Sequence, residues 1–260
     1  MPHLTTPPQA AATGAGRLGL GTPGYAHPLL APVEWAELTR PGTPLHWAVL
    51  NVADGPGGRP DAHCAEAAAR LRDAGGPAGS GGSAGPGRRL LGRLAMRDGA
   101  RSFAELIGDA HRFRDWYGVG GFYLADTPAD REDLPSVRRV VDALRGLGEG
   151  LRIVLDHGTH PYEGFAETAD QLVTFSGAWA HYRWSLVAEW TAEYPPELFC
   201  HLVHGVPRTH LDEALRIARW QGAGTVWFTD RRGACDRDPW ASMPGYWDEI
   251  VSRIGPGVSE

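Results

Sequence analysis

The stretch SFAELIGDAHRFRDWYGVGGFYLADTPADREDLPSVRRVVDALRGLGEGLRIVLD, residues 102–156, decides the fold because it alternates helical and strand patterns twice. Ser102 followed by Glu105 forms a capping box, which predicts a helix that begins just after Ser102. Short apolar runs that begin near Val119 and Leu151 are typical of buried strands. Helices and strands that alternate in this way indicate a parallel α/β fold.

Start and stop signals mark further helices on either side of these strands. Pro135 fits the first turn of a helix, and Gly148 follows that helix as its stop. Thr209 can cap a later helix that Gly222 ends. The same alternation therefore extends well beyond the central stretch.

Apolar runs that predict strands occur eight times along the chain, and they begin near Arg17, Leu45, Arg89, Val119, Leu151, Leu172, Phe199 and Gly224. Eight strand–helix units in 260 residues predict a single (β/α)8 TIM barrel, although an open doubly wound sheet would alternate similarly. We assign residues 17–260 to the barrel. Residues 1–16 are predicted to be a disordered tail, and the Gly-rich residues 75–87 a flexible insertion.

Composition limits the partners and the chemistry. A net charge of −6 and a pI near 6.0 argue against nucleic-acid binding, and no apolar run is long enough to span a membrane. The three cysteines form no CxxC motif, and the N-terminus has no signal-peptide pattern, so we expect reduced thiols and a cytoplasmic location. The 25 basic residues are all arginine, which excludes Schiff-base chemistry on lysine. We expect a monomer or a small homo-oligomer.

Barrel active sites lie at the C-terminal ends of the strands, so polar and aromatic residues at the strand exits are the candidate ligand contacts. Aromatic faces in such positions can stack on sugar rings. The residues predicted to bind substrate are His27, Asn51, Arg93, Arg97, Ser176, Trp179, His204, Asp230 and Trp240.

Several motifs resemble one known family. The segment WYGVGGFYLADTP, residues 116–128, resembles the spherulin-4 signature, in which a strand ends in an Asp-Glu pair. Further motifs occur in the same order as in the family, so the resemblance covers about residues 18–254. Those before the segment are LNVADGPG and GARSF, and those after it are LDHGTHP, FSGAWAHY, HLVHGVP, VWFTD and MPGYWDEIV. It implies a (β/α) barrel related to secreted glycoside hydrolases that cleave α-1,4-linked galactosamine-containing polysaccharides.

The resemblance also implies that the family's acids are largely replaced. The Asp-Glu pair aligns with Ala125 and Asp126, and a further glutamate aligns with Ser176. Glycoside hydrolysis generally needs two carboxyl groups. Asp156 and His157 stand where the family usually has asparagine and proline, so new titratable groups occur on the same rim. We therefore predict Asp126, Asp156 and His157 as the catalytic residues.

Nitrogen and oxygen ligands are also present in DHGTH, residues 156–160, and in HLVH, residues 201–204. Residues three apart on a strand point to opposite faces, however, so we expect neither a metal nor any other cofactor.

Three functions remain open. The first is an intracellular enzyme, for example of secondary metabolism, that is repurposed for cofactor-independent acid–base chemistry on a small metabolite. Cyclisation, dehydration, isomerisation or lyase chemistry would fit. The second is a glycosidase that acts on galactosamine-containing or related glycans with Asp126 and either Asp156 or Asp230. The third is a non-catalytic barrel that binds a carbohydrate or metabolite. We rank them in this order.

Overall fold

The structure is a computed structural model that describes residues 18–74, 89–233 and 238–254. The predicted tail, residues 1–16, and the predicted insertion, residues 75–87, lie outside the described residues.

Eight parallel strands form a closed barrel in which each strand is hydrogen-bonded to the next along the chain and the last returns to the first. The strands are β1 Gly19–Thr22, β2 Leu45–Leu50, β3 Arg89–Ala95, β4 Gly121–Ala125, β5 Arg152–Asp156, β6 Gln171–Ala178, β7 Phe199–His204 and β8 Thr225–Thr229. The closed ring confirms the predicted (β/α)8 barrel and rules out the open sheet. Each strand begins within two residues of its predicted start.

Helices cover the outside of this ring. They are α1 Pro32–Thr39, α2 Ala62–Ala74, α3 Phe103–Tyr117, α4 Leu134–Arg145, α5 Trp179–Tyr182, α6 Leu211–Trp220 and α7 Trp247–Ile254. The connection from β5 to β6 contains only a 3-10 helix, Glu163–Glu167. Gly158, Pro161 and Gly164 lie in that connection, and such residues interrupt an α-helix. None of the described helices has the length and apolar character needed to cross a bilayer.

The helix ends agree with the predicted signals in three of five cases. Gly222 follows Gln221, the C-cap of α6, and has φ of +76°, so it ends that helix as predicted. Ser102 and Glu105 form both hydrogen bonds of the capping box at the start of α3, and a proline lies in the first turn of α4. The stop predicted at Gly148 comes too late, since α4 ends at Arg145 and Gly146 is its C-cap. The cap predicted at Thr209 is wrong, because a 3-10 turn precedes α6 and no side chain caps that helix.

A polar chain crosses the inside of the barrel. Trp47 on β2 donates a 2.6 Å hydrogen bond to Gln171 on β6, which in turn donates a 2.8 Å hydrogen bond to Thr225 on β8. Tyr123 on β4 packs against Trp47, with 5.6 Å between ring centroids. Alternate strands thus supply one layer of inward-pointing side chains, as is usual in such barrels. This filled layer is the floor beneath the C-terminal mouth.

Candidate functional site

A cleft of about 380 Å³ occupies the C-terminal mouth of the barrel. Six residues predicted from the sequence line it, namely Asn51, Arg93, Asp126, Asp156, Ser176 and Trp240. Its wall also includes Tyr25, Asp54, Tyr123, Ala125 and Asp238. Carboxyl groups, an arginine and aromatic rings therefore converge on one pocket.

Asp156, the last residue of β5, lies low in this cleft. Its Oδ2 accepts a 2.7 Å hydrogen bond from the hydroxyl of Tyr123 on the neighbouring strand. Burial raises the pKa of Asp156 to about 6, although the Tyr123 hydrogen bond opposes the increase. The nearby charge of Asp126 raises this pKa further, and Arg93 lowers it. Asp156 is therefore a carboxyl group that can carry a proton in mildly acidic solution.

Asp126 follows β4 and is exposed at the mouth. Its backbone is left-handed, with φ of +53°. Successive residues on a strand normally point to opposite faces, yet Ala125 and Asp126 both line the cleft. The left-handed conformation interrupts the alternation at the end of the strand, which accounts for this arrangement.

Arg93 connects two carboxylates at the mouth. Its Nη1 lies 2.5 Å from Oδ1 of Asp54, and its Nη2 lies 3.7 Å from Oδ2 of Asp126. Arg97 holds the other oxygen of Asp54 at 3.0 Å. Burial is the largest single influence on the pKa of Asp54 and raises it, but the hydrogen bonds and charges of the two arginines together outweigh burial and leave this pKa below its ordinary value. Arg93 is mostly buried, with 22% of its side chain exposed, so this charge is held in place beside Asp126.

Three of the charged residues at the mouth share an unusual backbone conformation. Asp54, Arg97 and Asp126 all have φ between +50° and +53°. A left-handed conformation is uncommon for residues with a side chain, and strain of this kind often occurs at functional sites. Arg97 contacts Asp54 but does not line the cleft, so the structure places it behind the mouth.

Two positions that the family resemblance aligns with acids carry no carboxyl group. Ala125 and Ser176, which align with family carboxylates, both line the cleft. A methyl group and a hydroxyl therefore face the space where the resemblance would put acids.

His157 lies away from the cleft. Its ring packs against Phe165 at 4.7 Å, and its Nδ1 donates to the carbonyl oxygens of Pro128 and Thr127 at 3.0 and 3.2 Å. Burial lowers the pKa of His157 to about 4, so the ring stays neutral near pH 7. The buried Nε2 has no hydrogen-bond partner among the described residues. This position does not support the predicted catalytic role, because His157 follows Asp156 and points to the other face.

Four predicted ligand contacts also lie outside the cleft wall. His27 faces Asp61, 3.2 Å away. Trp179 is buried against Tyr182. The remaining two are Asp230, which accepts a hydrogen bond from the amide of Gly245, and His204, whose ring packs against Trp240 at 5.7 Å.

Sequence reasoning did not select Tyr123, Asp54 or Asp238 as site residues. Tyr123 lies two residues before Ala125 on β4, so the period of a strand puts both on the same face. This two-residue spacing from Ala125 could have identified Tyr123 from the sequence. Asp238 caps a turn by accepting a 2.9 Å hydrogen bond from the amide of Trp240, and no comparable pattern distinguishes it in the sequence.

Two solved structures are similar to this chain. The crystal structure of Aspergillus clavatus Sph3 in complex with GalNAc superposes with a TM-score of 0.75 at 24% identity, covering 92% of this chain and 98% of that chain. The glycoside hydrolase domain of PelA from Pseudomonas aeruginosa gives a TM-score of 0.47 at 16% identity, covering 84% and 99%. No curated protein is detectably similar in sequence.

The sequence also matches the profile of the Spherulin4 family, described as spherulation-specific family 4, over residues 21–254. That match covers nearly all of the described residues. This chain therefore belongs to spherulation-specific family 4.

Proposed function

We propose that this protein is a glycoside hydrolase that uses Asp156 and Asp126 as its two carboxyl groups. The observation that carries the proposal is their difference in environment within one cleft. Asp156 is partly buried and accepts a tyrosine hydrogen bond, whereas Asp126 is exposed beside an arginine. Paired carboxyl groups in unlike surroundings are the usual arrangement for glycosidic bond cleavage.

Asp156 acts as the general acid. Its pKa of about 6 keeps a proton available in mildly acidic solution, and a group with such a pKa transfers that proton efficiently to a leaving oxygen. After departure of the leaving group the new carboxylate keeps its hydrogen bond from Tyr123. Tyr123 thus positions the acid in both of its protonation states.

Asp126 acts as the second carboxylate, which attacks the sugar or activates a water molecule. Arg93 lies on one side of it and leaves the rest of the exposed carboxylate directed to the cleft. The guanidinium group also bonds Asp54, so its position is fixed from two directions. In this role one carboxylate keeps the second position of the family's Asp-Glu pair, after β4, and its partner moves to the end of β5.

We propose galactosamine-containing or related glycans as substrates. Tyr25 and Trp240 line the cleft and offer aromatic faces to a sugar ring, while Asn51 and Asp238 offer polar groups to its substituents. The bound GalNAc of the Sph3 structure supports an amino-sugar ligand for this fold. Asp126 and Asp238, two exposed carboxyl groups of the cleft, also favour a substrate that carries free amines.

The direct test is release of reducing ends from α-1,4-linked galactosamine polymers, with fully and partly N-acetylated chains compared. We expect hydrolysis by the wild type and its loss in both Asp126→Asn and Asp156→Asn. Binding of GalNAc with no hydrolysis of any polymer would instead indicate a carbohydrate-binding barrel.

Non-hydrolytic acid–base chemistry on a small metabolite is the second candidate. The observation that favours it is the pair Ala125 and Ser176, which leave the cleft without two of the family's acids. Conversion of small cyclic or glycosyl-like metabolites, dependent on Asp156 and without glycan hydrolysis, would favour this function over the first.

A further inference from the structure

Three kinds of metal-binding side chain meet beside the cleft, at the exits of β1 and β2. They are His27 after β1, and Asp61 and Cys64 at the start of α2. Nε2 of His27 lies 3.2 Å from Oδ1 of Asp61, and the donor atoms of all three residues lie within 4.8 Å of one another. Among the described residues this is the one group of three or more such ligands that lies so close together.

We propose that His27, Asp61 and Cys64 bind a zinc-like divalent transition-metal ion. A thiolate, an imidazole and a carboxylate together are the ligands that Zn²⁺ and Co²⁺ prefer, whereas Mg²⁺ and Ca²⁺ prefer oxygen ligands alone. The site is separate from the carboxyl pair, so it does not depend on the proposed hydrolytic function.

The distances suit a tetrahedral ion. Two ligand atoms that are each about 2.1 Å from a zinc ion lie about 3.4 Å apart, close to the 3.2 Å found between His27 and Asp61. Cys64 is fully buried, so its sulfur would approach from the protein side. The side chains of His27 and Asp61 are 24% and 32% exposed, which leaves an open side through which an ion can enter.

A fourth ligand is at hand on that open side. His63 is exposed and lies next to Cys64 in α2, and its ring centroid is 6.3 Å from that of His27. It lines a groove between α1 and α2, together with Pro28 and Leu29. Rotation of His63 toward the ion, or a water molecule, would complete the coordination.

The existing hydrogen bonds can adjust to the ion. Oδ1 of Asp61 accepts a 2.9 Å hydrogen bond from the amide of Cys64, and a carboxylate has enough lone pairs to keep this hydrogen bond while it binds a metal ion. Nδ1 of His27 accepts a 3.3 Å hydrogen bond from the amide of Leu29. When the metal bonds to Nε2, the imidazole proton moves to Nδ1 and the exposed Leu29 amide turns to water. The thiol proton of Cys64 passes to solvent as the sulfur–metal bond forms.

The test is titration of the full-length reduced protein with Co²⁺, followed by competition with Zn²⁺. We expect one ion per chain and a near-ultraviolet thiolate-to-cobalt charge-transfer band. Cys64→Ala removes that band, while His27→Gln and Asp61→Asn each weaken Zn²⁺ affinity at least tenfold. Cys200→Ala is the matched thiol control, because Cys200 is also a buried free cysteine but lies on β7, and it keeps both properties.

His27→Gln keeps the test decisive if Cys64→Ala does not fold, because His27 is partly exposed and lies in a loop. A cobalt band that persists in Cys64→Ala would overturn the proposal. So would an affinity within twofold of wild type in both His27→Gln and Asp61→Asn, or the absence of any thiolate band in the wild type.

Discussion

The hydroxyl of Tyr123 donates a 2.7 Å hydrogen bond to Oδ2 of Asp156, so a residue of β4 lowers the pKa of a carboxyl group on β5, against the larger effect of burial. Tyr123→Phe removes a bond that favours the charged carboxylate, and the pKa of Asp156 then rises above about 6. Loss of a hydrogen bond worth roughly 1 kcal/mol changes the pKa of the bonded carboxyl group by about 0.5–1. We expect the alkaline limb of the kcat/KM profile to move upward by that amount.

The control for this shift is Tyr182→Phe, which deletes another buried hydroxyl, one paired with His201 at 2.8 Å. Tyr182 does not line the cleft, so its variant should keep the wild-type pH profile. An alkaline limb that stays in place in Tyr123→Phe would contradict the role of Asp156 as the acid.

Asp126→Asn tests the second carboxylate. Asparagine adopts a left-handed backbone at least as readily as aspartate, so the variant removes charge without disturbing the loop. We expect glycan hydrolysis to fall by about a hundredfold or more, since carboxylate catalysis of this type commonly contributes that much.

Asp98→Asn is the matched control, because Asp98 is also left-handed and exposed but does not line the cleft. It should retain wild-type turnover. Equal rates in Asp126→Asn and the wild type would disprove the assignment.

Asp156 also affects folding stability. Its folded pKa of about 6 lies above the ordinary value for aspartate, so the folded state binds its proton more tightly than the unfolded chain does. The contribution of Asp156 to the free energy of unfolding therefore decreases as pH rises from about 4 to beyond 6, by on the order of 1–3 kcal/mol. Burial lowers the pKa of His157 to about 4, so that ring acts in the opposite direction, and the test is the difference between the wild type and Asp156→Asn. Urea unfolding at pH 4.5 and 7.5 should show that the wild type loses this much stability relative to the variant. The same pH dependence in both proteins would contradict the buried environment of the carboxyl group.

Ala125 offers a gain-of-function test. It lines the cleft beside Asp126, so Ala125→Asp returns a carboxyl group to the position that the family signature gives it. We expect at least a tenfold increase in galactosamine-polymer hydrolysis, which a reducing-end assay measures. Ala125→Asn has the same shape without the charge and should give no increase; comparable gains in both variants would show that the effect is steric.

Close strand–helix packing gives a prediction about stability alone. A Cβ on Gly92 of β3 would lie 2.6 Å from the ring of Phe113 in α3. We expect Gly92→Ala to lower the free energy of unfolding by about 1–3 kcal/mol. Gly108→Ala, within α3, meets only an arginine nitrogen at 3.9 Å and should be neutral or stabilising. Urea denaturation that ranks the two variants in the opposite order would refute this account of the packing.

The strands were predictable because each is a short apolar run, and burial on both faces demands that pattern. The connection between β5 and β6 was harder to predict, since its glycines and proline leave no helical period. In the site, Asp126 and Asp156 were predictable as polar residues at strand exits. The left-handed backbone of Asp126 was not, because it depends on contacts from neighbouring loops such as the hydrogen bond from the amide of Asp98.

The error at His157 has a simple cause. Two adjacent residues at a strand exit were both assigned to the pocket, although the alternation of a strand sends one of them behind it. Asp126 shows that the alternation fails only where the backbone departs from extended geometry.

The backbone at residue 126 also limits how this protein can evolve. Glycine, asparagine and aspartate accept its left-handed geometry most easily, so few replacements leave the loop unaltered. Two of those three residues are uncharged, and each is one nucleotide change away from an aspartate codon. A descendant can therefore lose the acid in a single mutational step and keep the shape of the mouth, which, for the proposed hydrolase, is a short route from a catalyst to a lectin.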